Sequence, residues 1–209
     1  MNKFKEIDIF QYVKLNFFSK NVIHKGNGKI IPFTGAHVDL GEGSRLILHD
    51  GNIEIGVNKI KGSKAETLIR LRRNAEWNVK SYCSMSYGTT IEINENAILE
   101  SGSFTSNSNT VLVINKNVSI GNDVMLGRNV VIYDSDFHSL KNKEISEPLY
   151  IGDHVWVATN STILKGVRIE KGSVIAAGTI ISKDVSEYVL VGNDAKQIIL
   201  SENTEWKRQ

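Results

Sequence analysis

The sequence predicts an all-β coil of short parallel strands, and three features carry that prediction. Apolar residues recur at every sixth position through Ile114, Ile120, Leu126 and Ile132, and again through Ile151, Val157, Ile163, Ile169, Ile175 and Ile181. A second series runs two residues ahead of the first, through Leu112, Val118, Val124, Val130, Leu149, Val155, Ser161, Val167, Ser173 and Thr179. The segments between them, such as GND, GRN, GDH, LKG and EKG, are rich in the residues that chain bends require.

A helix cannot use a period of six, because six residues rotate by about 600° and successive repeats would face different ways. In a strand, positions i and i+2 share a face, so each unit of six supplies two inward side chains. The turns are too uniform for hairpin reversals. The consistent solution is a three-faced coil in which residues about 18 apart stack in the core. Ile151 then lies over Ile169, Val157 over Ile175 and Ile163 over Ile181. The β-branched residues suit a pleated, buried surface.

Upstream the beat is ragged, through Leu40, Leu48, Ile55, Ile93 and Leu99, and the coil is extended back to about residue 38. Its expected span is 38–185, followed by a tail over 186–209. The weakest part is 62–80, where Trp77 reads equally as a surface or an interface residue. With 209 residues and 41% hydrophobic content, one domain over 1–209 accounts for the chain.

Composition narrows the function. Twenty-five basic residues against 23 acidic ones leave a formal charge of +2, which gives no electrostatic case for a nucleic-acid partner. Cys83 is the only cysteine, so no intrachain disulfide or cysteine-based zinc site is expected, and a reducing, cytoplasmic location fits. The opening segment IDIFQYVKLNFF is interrupted by Asp8, Gln11, Lys14 and Asn16, so no transmembrane segment and no signal peptide are read there. Ile7, Phe10, Val13 and Phe17 fall at helical spacing and predict a short amphipathic helix within 1–20. It packs on the coil or on a sister subunit; peripheral membrane contact is the second reading.

The beat stops once, inside VVIYDSDFHSLKNKEISEPLYIG (Val130 to Gly152). Continued sixes would turn His138 inward, and burying a histidine flanked by Asp134 and Asp136 costs several kcal/mol unless all are paired. The stretch 134–148 is therefore expected to leave the coil as a protruding loop, with Pro148 at the re-entry point.

Repeats of the form [LIV]-G-x4 resemble the hexapeptide signature of the left-handed parallel β-helix. IGDHVWVATNSTILKGVRIEKGSVIAAGTIISKDV resembles the closing coils of the bacterial hexapeptide acyltransferases, including galactoside and maltose acetyltransferases. YDSDFHSL is similar to the active-site segment of those that O-acetylate bacterial surface polysaccharides or their sugar precursors. The resemblance covers about 105–200 well and the first half loosely. It implies the left hand of the coil, acetyl-coenzyme A as co-substrate, a sugar acceptor, no metal, and a homotrimer with sites between subunits.

It also implies residue roles. His138 is the general base that removes a proton from the acceptor hydroxyl and returns it to the leaving thiolate; histidine titrates close enough to neutrality to do both. Asp136 and Asp134 are candidates to orient the imidazole or to bind sugar hydroxyls, and capping of the loop turn is the equal alternative for each. Asn107 matches an acceptor-binding asparagine, and Trp156 matches a tryptophan that walls the active site. Thr159, Ala177, Ser182 and Lys183 match positions lining the coenzyme A cleft. VGNDAK resembles a closing GNPAK segment and places Lys196 near the nucleotide phosphates, although Asp194 stands where proline is usual.

Three rivals are weaker. The γ-type carbonic anhydrases share the coil, but His24, His37, His49, His138 and His154 lack that family's spacing. A non-enzymatic scaffold leaves the break unexplained. N-acetylation of a nucleotide-linked amino sugar is the nearest alternative, and no second phosphate motif supports it. The expected reaction is direct acetyl transfer without an acyl-enzyme, since no base can be assigned to Cys83.

Overall fold

The structure, a computed structural model, describes residues 6–138 and 144–193. Within these, twenty-two short strands follow one another so that each pairs in parallel with the third strand after it, except that the last, Leu190–Val191, pairs with Val174–Ile175 two strands back, giving three sheets of seven, eight and seven strands. This is the expected left-handed parallel β-helix. Face 1 runs from Val22–His24 to Arg168–Ile169, face 2 from Ile30–Pro32 to Leu190–Val191, and face 3 from Ala36–Leu40 to Ile180–Ile181.

The predicted stacking is observed: Ile151 pairs with Ile169, Val157 with Ile175 and Ile163 with Ile181. Both inward series are buried from Leu112 to Ile181, including their polar members Ser161, Ser173 and Thr179. The first two of these hydroxyls are satisfied by carbonyls, Ser161 Oγ donating to Ala176 O at 2.9 Å and Ser173 Oγ to Glu170 O at 2.7 Å. Corners are turned by left-handed residues, among them Asn74, Asn96, Asn109, Asn129 and Asn160, the type that tolerates positive φ best after glycine.

The coil begins earlier than the sequence suggests, at Val22 and not near residue 38, and face 2 closes at Val191, beyond 185. The early coils are longer. On face 1 Val22 pairs with Leu46, Leu46 with Trp77, Trp77 with Leu99 and Leu99 with Val118. No two of these strides are equal, and each exceeds the one that joins Ile151 to Ile169. Trp77 is fully buried and not at a surface or interface; its Nε1 donates to Ser101 Oγ at 3.0 Å and its ring stacks on Phe104.

The N-terminal element also departs from expectation. An α-helical turn, Ile9–Val13, passes into a π-helical one, Lys14–Phe18. The residues read as its packing face point outward, Phe10 being 82% and Phe17 64% exposed, while Leu15 and Asn16 turn in. The Asn16 amide both donates to Ile30 O (2.8 Å) and accepts from Ile30 N (2.9 Å). It thereby stands in for the strand missing at the open end of face 2. No helix among the described residues is long and apolar enough to cross a membrane.

The break in the beat is an excursion between face 3 and face 1. Val118 pairs with Leu149, Met125 with Trp156 and Val131 with Thr162, so all three faces take the same long stride across it. The next coil is already back to the short stride of Ile151 to Ile169. The excursion starts at Asp134, which is fully buried and accepts from the amides of Asn115, Lys116 and Asn117 at 2.7–2.8 Å. Burial pushes this carboxyl above the usual carboxylate range, while the three N–H groups pull it back.

Two outcomes follow from this core. Asp134→Ala strands three amides and is expected to lower stability by about 2–3 kcal/mol, with Asp134→Asn retaining part of it; chemical denaturation of the three proteins measures both. Burial pushes the Cys83 thiol from 9.0 up to about 12. Below pH 9 the thiol is protonated in both states; between 9 and about 12 the unfolded chain loses its proton first, so this contribution fades as pH rises. The stability gap between wild type and Cys83→Ala should therefore narrow between pH 8 and pH 10.5. A constant gap would contradict it.

Candidate active site

The loop leaves the prism on a short antiparallel stem. Ser135 bridges Ser146, Asp136 N donates to Ile145 O and Glu147 N donates to Asp134 O, both at 2.9 Å. Ser146 Oγ donates to Ser135 Oγ at 2.9 Å, and Asn115 Nδ2 to Ser146 Oγ at 2.8 Å. Phe137 adopts φ 59°, which strains a bulky side chain. Its amide bonds Ser135 Oγ at 3.0 Å, and its ring meets Tyr133 edge-on at 5.7 Å. His138 follows directly and is exposed. The stem thus presents an imidazole to solvent beside the corner between faces 3 and 1.

The aspartates that flank it serve other partners. Asp134, expected at the acceptor, the imidazole or the loop turn, is sealed in the corner with its oxygens on the backbone amides of Asn115, Lys116 and Asn117 in the preceding coil. Asp136, expected to orient His138, instead pairs with Lys165 Nζ at 2.8 Å. Lys165 also reaches Glu147 Oε1 at 3.4 Å and donates to the carbonyls of Glu144 and Ile145. Its side chain is only 15% exposed, and the bond from Asp136 holds its ammonium above the usual lysine range. Lys165 and Glu147 carry no signal in the sequence: LKG looks like one more turn, and nothing local ties position 165 to 136.

The remaining candidates divide between two corners. Trp156 lies on the outside of face 2, 48% exposed, between Met125 and Val174. Asn107, Thr159 and Ala177 follow the face 2 strands Phe104–Ser106, Trp156–Val157 and Val174–Ile175, at the corner leading to face 3. Ser182 and Lys183 follow Ile180–Ile181 and precede the bridge of Val185 to Ile169, at the same corner as the His138 loop. Lys196 lies outside the described residues. Within one chain, therefore, His138 stands with Ser182 and Lys183, while Trp156, Asn107, Thr159 and Ala177 stand across face 3 from them. Among the described residues no group of three or more His, Cys, Asp or Glu side chains is placed to hold a metal.

Residues 148–183 match the family described as bacterial transferase hexapeptide (six repeats). Among curated proteins, the galactoside O-acetyltransferase of Escherichia coli K12 is 34% identical over 119 residues, 54% of this chain and 55% of that protein. The galactoside O-acetyltransferase of Lactococcus lactis is 36% identical over 90 residues, 40% of this chain and 43% of its own. The polysialic acid O-acetyltransferase of Escherichia coli O1:K1 is 34% identical over 99 residues, 44% of this chain and 32% of its own. The chain thus spans from a third to just over half the length of these relatives. The matched stretches are thus similar to hexapeptide-repeat transferases and, over 90 to 119 residues, to named O-acetyltransferases.

Proposed function

We propose that this chain is an acetyl-coenzyme A dependent O-acetyltransferase acting on a sugar hydroxyl of a bacterial surface polysaccharide or its precursor, with His138 as general base. The observation that carries the reading is the loop itself. It leaves the coil at one corner, without disturbing the ladders on either side, and carries an exposed histidine on a stem bonded to the coil. The names of the relatives, two galactoside O-acetyltransferases and one polysialic acid O-acetyltransferase, support a carbohydrate acceptor.

The residues present fit an acyl-coenzyme donor. At the corner from face 2 to face 3, a side chain added at Gly178 would meet nothing within 4 Å. Among the described residues the amides of Thr159 and Ala177 meet no acceptor. Small side chains and free donors suit an amide-bearing pantetheine arm, and the exposed Ser182 and Lys183 suit phosphate oxygens. When bound, the donor supplies an activated acetyl thioester. His138 takes the proton of the acceptor hydroxyl as its oxygen bonds to the thioester carbonyl carbon. The C–S bond then breaks, and the imidazolium returns that proton to the departing sulfur. Since the two sets of residues occupy different corners, a complete site needs the loop corner of one copy against the face 2 corner of the next. A cyclic homotrimer supplies three such junctions.

Thiol release from acetyl-coenzyme A against hydroxyl sugars, nucleotide amino sugars and capsule or O-antigen fragments tests the reading. His138→Ala is expected to lower turnover on hydroxyl acceptors by about 10²–10⁴-fold. Turnover confined to amino sugars would move the enzyme to N-acetylation, and none on any acceptor would sink the proposal. Co-refolded His138→Ala and Trp156→Ala chains should exceed the mean activity of the separate preparations, because some junctions then pair two intact halves. Activity equal to that mean would place each site within one chain.

A further inference from the structure

We propose that Lys165 is a positioning residue that holds the His138 loop in its working geometry, an inference that rests on the acyl-transfer reading above. The loop has two legs, and Lys165 grips both. Its ammonium bonds Asp136 on the outgoing leg at 2.8 Å; on the returning leg it meets Glu147 at 3.4 Å and the carbonyls of Glu144 and Ile145. Three N–H donors are thus shared among four oxygens by a side chain that is largely covered. An exposed lysine pair is usually worth little. This one differs because, among the described residues, a single cation is the common partner of two legs that otherwise meet at their stem.

The neighbouring residue makes room for it. Gly166 has φ 73°, and a Cβ there would stand 2.7 Å from Glu147 Oε2, so any larger residue would push that carboxylate away. Gly166 N also donates to Glu147 O, at 3.4 Å. Lys165 and Gly166 form the corner of the coil that follows the loop, a part of the prism locked by ladders on both sides. Lys165 therefore connects the loop stem to a corner whose flanking strands are paired on both sides.

His138 sits two residues beyond Asp136, so a displacement of the Asp136 leg is passed directly to the imidazole. A misplacement of about 1 Å in a reacting group costs on the order of 10²-fold in rate. Removing the ammonium would also leave the Asp136 and Glu147 carboxylates facing each other, since both lie within 3.4 Å of the same Nζ. Like charges at such a distance repel and would drive the legs apart.

The test uses the full chain as Lys165→Met, Lys165→Arg, Asp136→Asn and the Lys165→Met/Asp136→Asn pair. Hydrogen exchange is read at the Asp136 and Glu147 amides, whose bonds hold the stem, and kcat and KM are read with acetyl-coenzyme A. Lys165→Met is expected to speed exchange at both amides and to lower kcat by about 10–100-fold, with KM for the donor within about twofold. Lys165→Arg should restore most of both losses, and adding Asp136→Asn to Lys165→Met should cost little more. Unchanged exchange, or a kcat for Lys165→Met equal to wild type while His138→Ala abolishes turnover, would overturn the proposal and leave the acyl-transfer reading standing. Should His138→Ala turn over like wild type, that reading fails, and exchange alone still decides whether Lys165 holds the stem. If Lys165→Met does not fold, Asp136→Asn, which removes the shorter ion pair, carries the same comparison.

Discussion

Three parallel ladders share one chain, and each fixes the register of the other two. A slip of a single residue on any face would turn its inward side chains out, and the slip would propagate around the next corner. Extra residues can therefore leave only where the ladders pause, at the corners. The excursion after Tyr133 obeys this rule: all three faces lengthen their stride equally across it and shorten again in the following coil. The position of the candidate base is thus a consequence of the coil, as is the need for a stem that ties down what the ladders release. Asp134 does so from inside, by holding three amides of the preceding coil, and Lys165 from outside, by holding both legs.

The closing coils are legible in the sequence because their stride is a whole multiple of the repeating unit, so that both inward series surface as a plain period. Even Ser161, Ser173 and Thr179 fall on the beat and are buried. The opening coils hide the same architecture. The unequal strides from Val22 to Leu46, Trp77 and Leu99 preserve stacking on face 1 while erasing any fixed period along the chain. Hence the start at Val22 leaves no mark in the pattern, and Trp77 reads ambiguously although it is fully buried in the core. The N-terminal segment misleads for another reason. Its apolar spacing assumes one uniform helical turn throughout, whereas the passage into a π turn rotates Leu15 and Asn16 inward.

The candidate site is legible to a similarly limited degree. His138 can be found because it sits where the beat breaks. The partners of its flanking aspartates cannot, because they lie one coil away: Asp134 reaches back to Asn115, and Asp136 reaches forward to Lys165. In a coil, chemical neighbours are separated by a stride, and the stride lengthens at the loop. Local spacing therefore carries no trace of the Asp136 to Lys165 contact.

The same geometry sets the proposed base and the proposed donor residues at different corners of one chain. Asp134 is fixed inside the corner, and His138 is four residues beyond it, a reach of at most about 14 Å with the backbone fully extended. The true reach is shorter, because Phe137 is folded back at φ 59° against Ser135. The opposite edge of face 3, where Thr159 and Ala177 lie, is five or six residues of strand away, about 17–20 Å. A prism locked by three ladders cannot bend to close that gap. On the proposed reading, with the donor along Thr159 and Ala177, the thioester meets His138 where the loop corner of one copy faces the second corner of another, and assembly is then part of the chemistry.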